Sequence, residues 1–458
     1  MADDRIPTSR IRRLSKIGGV AASTAAKQLG TRAANVTRSE EAGRRALERR
    51  QIETAEQIVA VLGTMKGAAM KLGQVLSFLD VGLVPEEFRE DFQAKLAELR
   101  DAAPKVSFKD MKKVIEGEYG ERVEKVFDSF DPVPIAAASI GQVYLADYEG
   151  RRVAVKVQYP GVATAVRADM QNLGLILRLV KGIAPGLDIK ALGAEIRERI
   201  EEELDYELEA SNQRRLARLY RGHPFIVVPE VLTDLSREKV VVSEYVEGRG
   251  FEEMKQLPRE ERDRIGEIIF RFYFGCMYRH HQFSGDPHPG NCILMNDGRM
   301  AFLDFGLFKT ISRDAAEFEL KAQRLASERR AAELREHMHA HGWVGDPSYY
   351  PDDKVLAMVD DMTWWYTQDR EVELTPEAAT DILIQMSDPR SRHFATMRHE
   401  TLPPEHLFGR RLEVLTLAVL SQLRATGNWH RIAREWMYGE EPTTELGRQE
   451  AEFLAARA

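Results

Sequence analysis

Asp286 and Asn291, set five positions apart in Asp286-Pro-His-Pro-Gly-Asn291, and Asp304 in Leu303-Asp304-Phe305-Gly306 have the types and spacing for phosphate chemistry. Asn and Asp oxygens are hard donors that can hold Mg²⁺ beside a polyphosphate, and a further Asp can orient the group that attacks phosphorus. The segment joining them is legible as well. Cys292–Met295 and residues 299–303 read as two short strands, and Asn296-Asp297-Gly298 between them is a strong hairpin signal. The hairpin returns the chain so that Asn291 and Asp304 can face one metal. An ordinary hairpin with capping Asp residues is the plainer reading of the same stretch.

The upstream sequence points the same way. Val153-Ala-Val-Lys156-Val157 is a β-branched strand with one Lys on its polar side. A partly buried Lys there needs an anionic partner, and protein kinases use such a Lys on the α- and β-phosphates. One strand earlier, where a kinase has its Gly-rich loop, stand Ala136, Ala137, Ala138 and Ser139. Each Ala carries a Cβ that makes positive φ expensive, so this loop is expected to be stiffer, cradling phosphate with a different geometry. A plain strand-turn-strand is the competing reading. Residues 239–246 form a strand ending in a polar pair. In a kinase-like fold it is the hinge, with backbone near Glu244 and Val246 bonding the adenine edge and Ser243 at the gatekeeper place. Residues 201–212 read as one acidic helix, mostly solvated, with one carboxylate reaching Lys156. Glu203 and Glu209 fall on different faces of it and take different partners.

Lys71-Leu-Gly-Gln74 ahead of the Ala-rich loop, then Glu203-x-Asp205, Asp286 to Asn291 and Asp-Phe-Gly, together resemble the UbiB family of atypical kinases, also called AarF or ADCK. The order and motifs match over roughly residues 50–310. The resemblance implies an α+β, protein-kinase-like two-lobe fold with an N-terminal helical extension and a mostly helical C-terminal lobe. It places the Lys-x-Gly-Gln helix over the active site. Lys71 and Gln74 would then sit near the phosphates, Lys71 engaging Glu203 and Asp205 and acting with Lys156 and Asp286 in catalysis. Lys156 would pair with Glu209, Asn291 and Asp304 would bind Mg²⁺, and Asp286 would be the catalytic-loop Asp. ATP or ADP with Mg²⁺ are the implied cofactors, and ATPase activity, membrane lipids and isoprenoid quinone metabolism the implied context.

Three departures stand out. Ser284-Gly285 precedes Asp286, where bacterial members often have His-Ala. The two terminal membrane helices of some bacterial members are not found, so any membrane contact is expected to be peripheral. No Ala-Pro-Glu follows Asp-Phe-Gly, and the chain runs straight into a charged helix, which argues against phosphorylation of proteins.

Composition bounds the remainder. The chain has 458 residues, 43% hydrophobic and 30% charged, enough for two or three structural units. Cys276 and Cys292 lack metal spacing and read as buried small apolar residues in a reducing compartment. The net charge of −8 argues against nucleic-acid partners. Residues 1–50, however, carry twelve Arg or Lys against five Asp or Glu. They form a basic arm, either solvated or lying on an anionic membrane surface. A helical extension over 51–125, a kinase-like N-lobe with a helical insert over 126–248 and a C-lobe with a helical tail over 249–458 complete the expected organisation. Helices are expected at 65–79, 108–119 and 161–221 and strands at 126–148, 151–158 and 229–232. Residues 412–423 read as a buried helix, and Trp364, Trp365 and Tyr366 as core packing rather than a membrane or ligand contact. No run of 18 apolar residues exists, and the expected location is cytoplasmic, peripheral at the inner face of the membrane where lipid is engaged. Nucleotide and an anionic lipid or isoprenoid-quinone precursor are the expected partners. The functions consistent with this are an ATPase or lipid-related small-molecule kinase, a nucleotide-binding lipid scaffold with little turnover, and, least, a protein kinase.

Overall fold

A computed structural model describes residues 106–170, 173–174, 177–178, 189–343, 350–379 and 404–457, together with Gln57. The basic arm, the helix expected at 65–79, and Lys71 and Gln74 lie outside the described residues. The chain divides into two compact units, Met1–Tyr206 with Arg237–Val242, and Glu207–Ser236 with Ser243–Ala458. Among the described residues, no helix is long and apolar enough to cross a membrane.

The first unit is a sheet faced by helices. Helix α1, Phe108–Tyr119, starts where the Ser107 side chain accepts from the Asp110 amide and stops at Gly120 with φ 69°, a left-handed cap that Gly adopts cheaply. A short α2, Val123–Val126, leads to strands β1 (Ser129–Phe130), β2 (Ala136–Ala137), β3 (Gly141–Tyr148) and β4 (Arg151–Gln158). β1 and β2 both pair with β3, which pairs antiparallel with β4. The β3–β4 turn is Glu149-Gly150, both at positive φ. Val153, Val155 and Val157 are buried on one face of β4, and Lys156 lies on the other, opposite Val143. The far edge of β4 is taken up by the segment starting at Lys239, whose carbonyl accepts from the Gln158 amide at 3.0 Å. Rings of Phe108, Phe130 and Tyr144 pack within 5.4–5.6 Å of one another beside it.

Helices α3 (Val162–Met170) and α4 (Ile189–Glu203) follow. The single acidic helix expected over 201–212 is broken. α4 ends at Glu203, and α5, Tyr206–Tyr220, begins afresh. The Leu204 carbonyl is taken by the buried Gln158 side chain, distant in sequence, at 2.8 Å, and Asp205 is a residue type that favours the position before a helix start.

In the second unit, β5 (Ile226–Val227), β7 (Gly248–Arg249), β9 (Cys292–Met295) and β10 (Met300–Phe302) form a sheet of order β5-β10-β9-β7. The strand expected at 229–232 is displaced. Ile226–Val227 runs parallel to β10, whereas Val231 makes only an isolated bridge to Ser243 in β6, Val240–Glu244. Pro229, with no N–H, cannot extend a ladder. A short α6, Phe251–Met254, precedes α7, Arg259–His280, the spine of the unit, buried along most of the stretch from Ile265 to Tyr278. After the paired strands β8 (Gln282–Ser284) and β11 (Phe308–Thr310) come α8 (Arg313–Ser327), α9 (Ala331–Ala340), α10 (Asp352–Thr367), β12 (Val372–Glu373), α11 (Pro404–Leu423), β13 (Thr426–Gly427), α12 (Trp429–Met437) and α13 (Glu445–Ala455). Trp365 and Tyr366 join this core, as do Leu412, Leu417, Leu420 and Leu423. At α7 Gly266, an added Cβ would fall 2.5 Å from that of Ala425, so the close approach requires glycine. His280 ends α7, and burial, then Arg279, pushes its imidazole below its ordinary value. It therefore packs as a neutral ring, edge-on to Tyr220.

One cluster in this core is ionic. Arg271 is fully buried and donates to Glu267 at 2.7 Å, to both oxygens of Glu435 at 2.6 and 2.8 Å, to Glu450 at 2.8 Å and to Thr444 at 2.9 Å. Burial alone would raise the Glu450 carboxyl. His223, 3.8 Å away, and the guanidiniums of Arg279 and Arg271 outweigh it and hold the carboxyl at about 2. Removing Arg271 strands three carboxylates in the interior, so Arg271→Met is expected to destabilise the second unit by about 3–5 kcal/mol in chemical denaturation. Because the folded value of Glu450 lies below the unfolded one, its stability contribution is complete above roughly pH 5 and is lost as pH falls toward 2. Unfolding midpoints measured across that window should fall less steeply in Glu450→Gln than in the unsubstituted chain.

Candidate functional site

In the second unit the candidate residues hang on β8, β9, β10 and β11. β8 pairs with β11 so that Ser284 faces Phe308, and the Gly285 amide donates to the Leu307 carbonyl at 2.7 Å. Asp286 therefore leaves β8 next to the place where the chain returns from Asp304. His288 caps the one-turn helix Pro289–Asn291 by accepting from the Gly290 amide at 3.0 Å. The hairpin is the one expected: Met300 opposes Leu294, Gly298 has φ 85°, and Asp297 accepts from the Arg299 amide at 3.0 Å. At its base the Leu303 amide donates to the Asn291 carbonyl at 3.0 Å.

This brings Asn291 and Asp304 together. Asn291 Nδ2 stands 3.5 Å from Asp304 Oδ2, at the long limit of a hydrogen bond. Asp304 Oδ1 accepts from the Gly306 amide at 2.9 Å, which fixes the carboxylate's rotation. The Ser284 hydroxyl donates to the Asp304 carbonyl at 3.2 Å, so the Ser that departs from the family's usual pattern serves as a brace here. Glu209 is the buried member of the acidic run, 3% exposed. A Cβ built on Gly306 would lie 3.4 Å from Asp304 Oδ1 and 3.7 Å from Glu209 Oε2. Two carboxylates thus approach one glycine, an arrangement that favours a cation there.

The donor set fits Mg²⁺. Among the described residues no group of three or more His, Cys, Asp or Glu is arranged to hold a metal. Mg²⁺ does not need such a cage, being commonly held by one or two protein oxygens with phosphate and water completing its shell.

Three supporting residues escaped the sequence reading. Asn212, on α5, donates to the Phe305 carbonyl at 3.4 Å. It was part of the acidic run, and its signal was an uncharged amide one turn beyond Glu209. Tyr273 lies on α7, its phenol raised well above its ordinary value by burial, then by Cys292, Asp286 and Asp304, so it stays protonated beneath those carboxylates. Ser284 stands out in the sequence only as a departure from the pattern of the family it resembles. No motif spacing marks any of the three.

In the segment expected to be the hinge, the Glu244 amide donates to the Glu230 carbonyl at 2.9 Å, which leaves the Glu244 carbonyl and the Val246 backbone as the groups to consider for an adenine edge. In the first unit, Lys156 Nζ lies 5.1 Å over the ring of Tyr206. Ala136 and Ala137 are exposed strand residues, and the Ala138 amide donates to the Gly141 carbonyl at 2.9 Å, closing a turn around Ser139. None of residues 136–141 has positive φ, which is what the Cβ of each Ala favours. Glu203 ends α4 and Asp205 is exposed. The expected partners Lys156 and Glu209 belong to different units.

Asn212→Ala removes the donor to the Phe305 carbonyl and leaves a buried acceptor unpaired. It is expected to cost about 1–3 kcal/mol, read as a fall in thermal midpoint larger than that of Ser211→Ala beside it.

Comparison with known proteins bears on the whole. The ABC1 atypical kinase-like domain family matches residues 98–334. The atypical kinase coq-8, mitochondrial, of Caenorhabditis elegans is 28% identical over 96% of this chain and 59% of that protein. The chloroplastic protein ACTIVITY OF BC1 COMPLEX KINASE 3 of Arabidopsis thaliana is 34% identical over 59% of this chain and 38% of that protein. The chain thus spans between about a third and three fifths of the curated relatives it matches. A solved complex of Rv3197 with erythromycin from Mycobacterium tuberculosis is 32% identical, with a TM-score of 0.62, covering 90% of this chain and 100% of that one. With an α+β, kinase-like fold and a family match over half its length, the chain belongs to the ABC1, or UbiB, family of atypical kinase-like proteins.

Proposed function

We propose that the chain is a Mg²⁺-dependent, ATP-binding atypical kinase or ATPase that acts on or for membrane lipids or isoprenoid quinone metabolism rather than phosphorylating proteins. The observation that carries this reading is the placement of Asn291 beside Asp304, with the Asp304 carboxylate oriented by the Gly306 amide. Asn291 and Asp304 would hold Mg²⁺, with Glu209 as a nearby second carboxylate. When bound, Mg²⁺ would supply neutralisation of the phosphate oxygens and of the charge that develops in transfer. Asp286 orients the attacking hydroxyl or water. Lys156 takes the α- and β-phosphates, and the turn around Ser139, whose Ala138 amide is already held by the Gly141 carbonyl, cradles them. The Glu244 carbonyl and the Val246 backbone meet the adenine edge. Lys71, Gln74, Glu203 and Asp205 keep the roles that the family resemblance implies.

Two observations favour a small or lipid-related acceptor over a protein. Ser312 caps α8 only six residues beyond Gly306, which leaves little chain to dock a peptide. The mycobacterial relative was solved in complex with erythromycin, which is not a protein. Membrane contact is assigned to the basic segment 1–50, at an anionic surface.

The test is ATP hydrolysis by the purified chain with and without Mg²⁺ and anionic vesicles, beside Asp304→Asn. Turnover should require Mg²⁺ and fall about 100-fold or more in the variant, with its thermal midpoint little changed. Equal turnover in the folded variant would sink the assignment of Asp304.

A further inference from the structure

We infer that helix α13, at the C-terminal end of the chain, is a strap that positions α5, and that Arg457 is a positioning residue for Glu209 and Asn212 at the Asp-Phe-Gly turn. The inference rests on the metal and nucleotide reading above and deepens it. α5 is one continuous helix whose first turns carry Glu209 and Asn212. Its other end is held from outside. The Arg457 guanidinium donates to the carbonyls of Arg218 at 2.9 Å, Leu219 at 2.8 Å and Arg221 at 3.1 Å. The last carbonyls of a helix have no partner within it, and a planar, permanently charged fork satisfies several at once while complementing the negative end of the helix dipole.

The hold is reinforced around it. The Phe453 ring lies under Arg457 at 5.1 Å and edge-on to the His223 ring at 4.7 Å. His223 follows α5 and accepts from the Ile226 amide through Nδ1 at 3.1 Å, which directs its Nε2 proton toward Glu450. Glu450, on the same helix α13, is bound at 2.8 Å by Arg271 and at 2.8 Å by Arg279, both on α7, the helix that runs through His281 into β8 and Asp286. One helix therefore ties the far end of α5 to the spine that presents Asp286. Because α5 is one continuous helix, releasing its end loosens the turns that carry Glu209 and Asn212 and lets both move relative to Asp304.

The experiment compares the full chain with Arg457→Ala and Arg457→Lys by two readouts. The first is the Mg²⁺ concentration for half-maximal ATP hydrolysis, separated from kcat. The second is hydrogen exchange of the α5 amides. Arg457→Ala should raise the Mg²⁺ requirement roughly three- to tenfold, the range of a lost charged cap at a helix end. It should also speed exchange at residues 207–214. Arg457→Lys, which keeps the charge and loses the fork, should fall between. Unchanged Mg²⁺ requirement with faster exchange confined to 215–221 would overturn the strap and leave Arg457 a simple end cap. If the unsubstituted chain shows no Mg²⁺-dependent turnover, the catalytic reading falls, and exchange at 207–214 still decides whether the strap acts on the residues that carry Glu209 and Asn212.

Discussion

A pairing of three residues against three governs where the oxygens of Asp286, Asn291 and Asp304 can be. β8 and β11 are short, but with the Gly285 amide on the Leu307 carbonyl they close the segment between them into a loop with a fixed base. Asp286 leaves one side of that base and Asp304 arrives at the other, while the β9–β10 hairpin sets the length of the excursion. Asn291 is delivered to Asp304 because the Leu303 amide meets the Asn291 carbonyl at the foot of the hairpin. The catalytic-type side chains need no long-range coincidence once these few backbone bonds form. What they do need is a floor, and α7 supplies it through Tyr273 and Phe272, the latter stacked on Phe302 of β10 at 3.7 Å.

The parts that were legible in the sequence are those specified locally. Asn296-Asp297-Gly298 announces its hairpin because Gly298 alone must take positive φ there. Helix 108–119 is bounded by Ser107 and Gly120, both cap residues by type. Lys156 is readable because its neighbours alternate on β4. The parts that were not legible depend on distant partners. The break between Glu203 and Tyr206 follows from Gln158, forty-six residues earlier in the chain, bonding the Leu204 carbonyl. The strand was displaced from 229–232 to Ile226–Val227 because only the latter meets β10. The roles of Asn212, Tyr273 and Ser284 come from what they touch, and no spacing rule marks them. The Ala-rich turn keeps to negative φ, as the Cβ of each Ala favours.

Arg271 shows how far a buried charge can organise its surroundings. It sits on the spine helix, where apolar residues surround it, and it gathers carboxylates from α7, α12 and α13. Such a cluster is not efficient as raw stabilisation, since each ion forfeits its hydration. Its geometry is demanding, though, and it fixes which face of α13 meets α7. Gly447 marks the tolerance: a Cβ there would fall 2.4 Å from an Arg271 nitrogen and 2.8 Å from a Glu435 oxygen.

The two cysteines give the second unit a built-in reporter of its own opening. Cys276 and Cys292 are essentially inaccessible, and burial pushes both thiols up to about 12 even though Tyr220 and Tyr273 hydrogen-bond them. Neither has an appreciable thiolate fraction at neutral pH, and neither can be reached by an alkylating reagent while the core is closed. Both flank the candidate site, one on α7 and one at the start of β9. The rate at which they become alkylated therefore measures how often the spine helix and the hairpin part from each other, without any label being introduced.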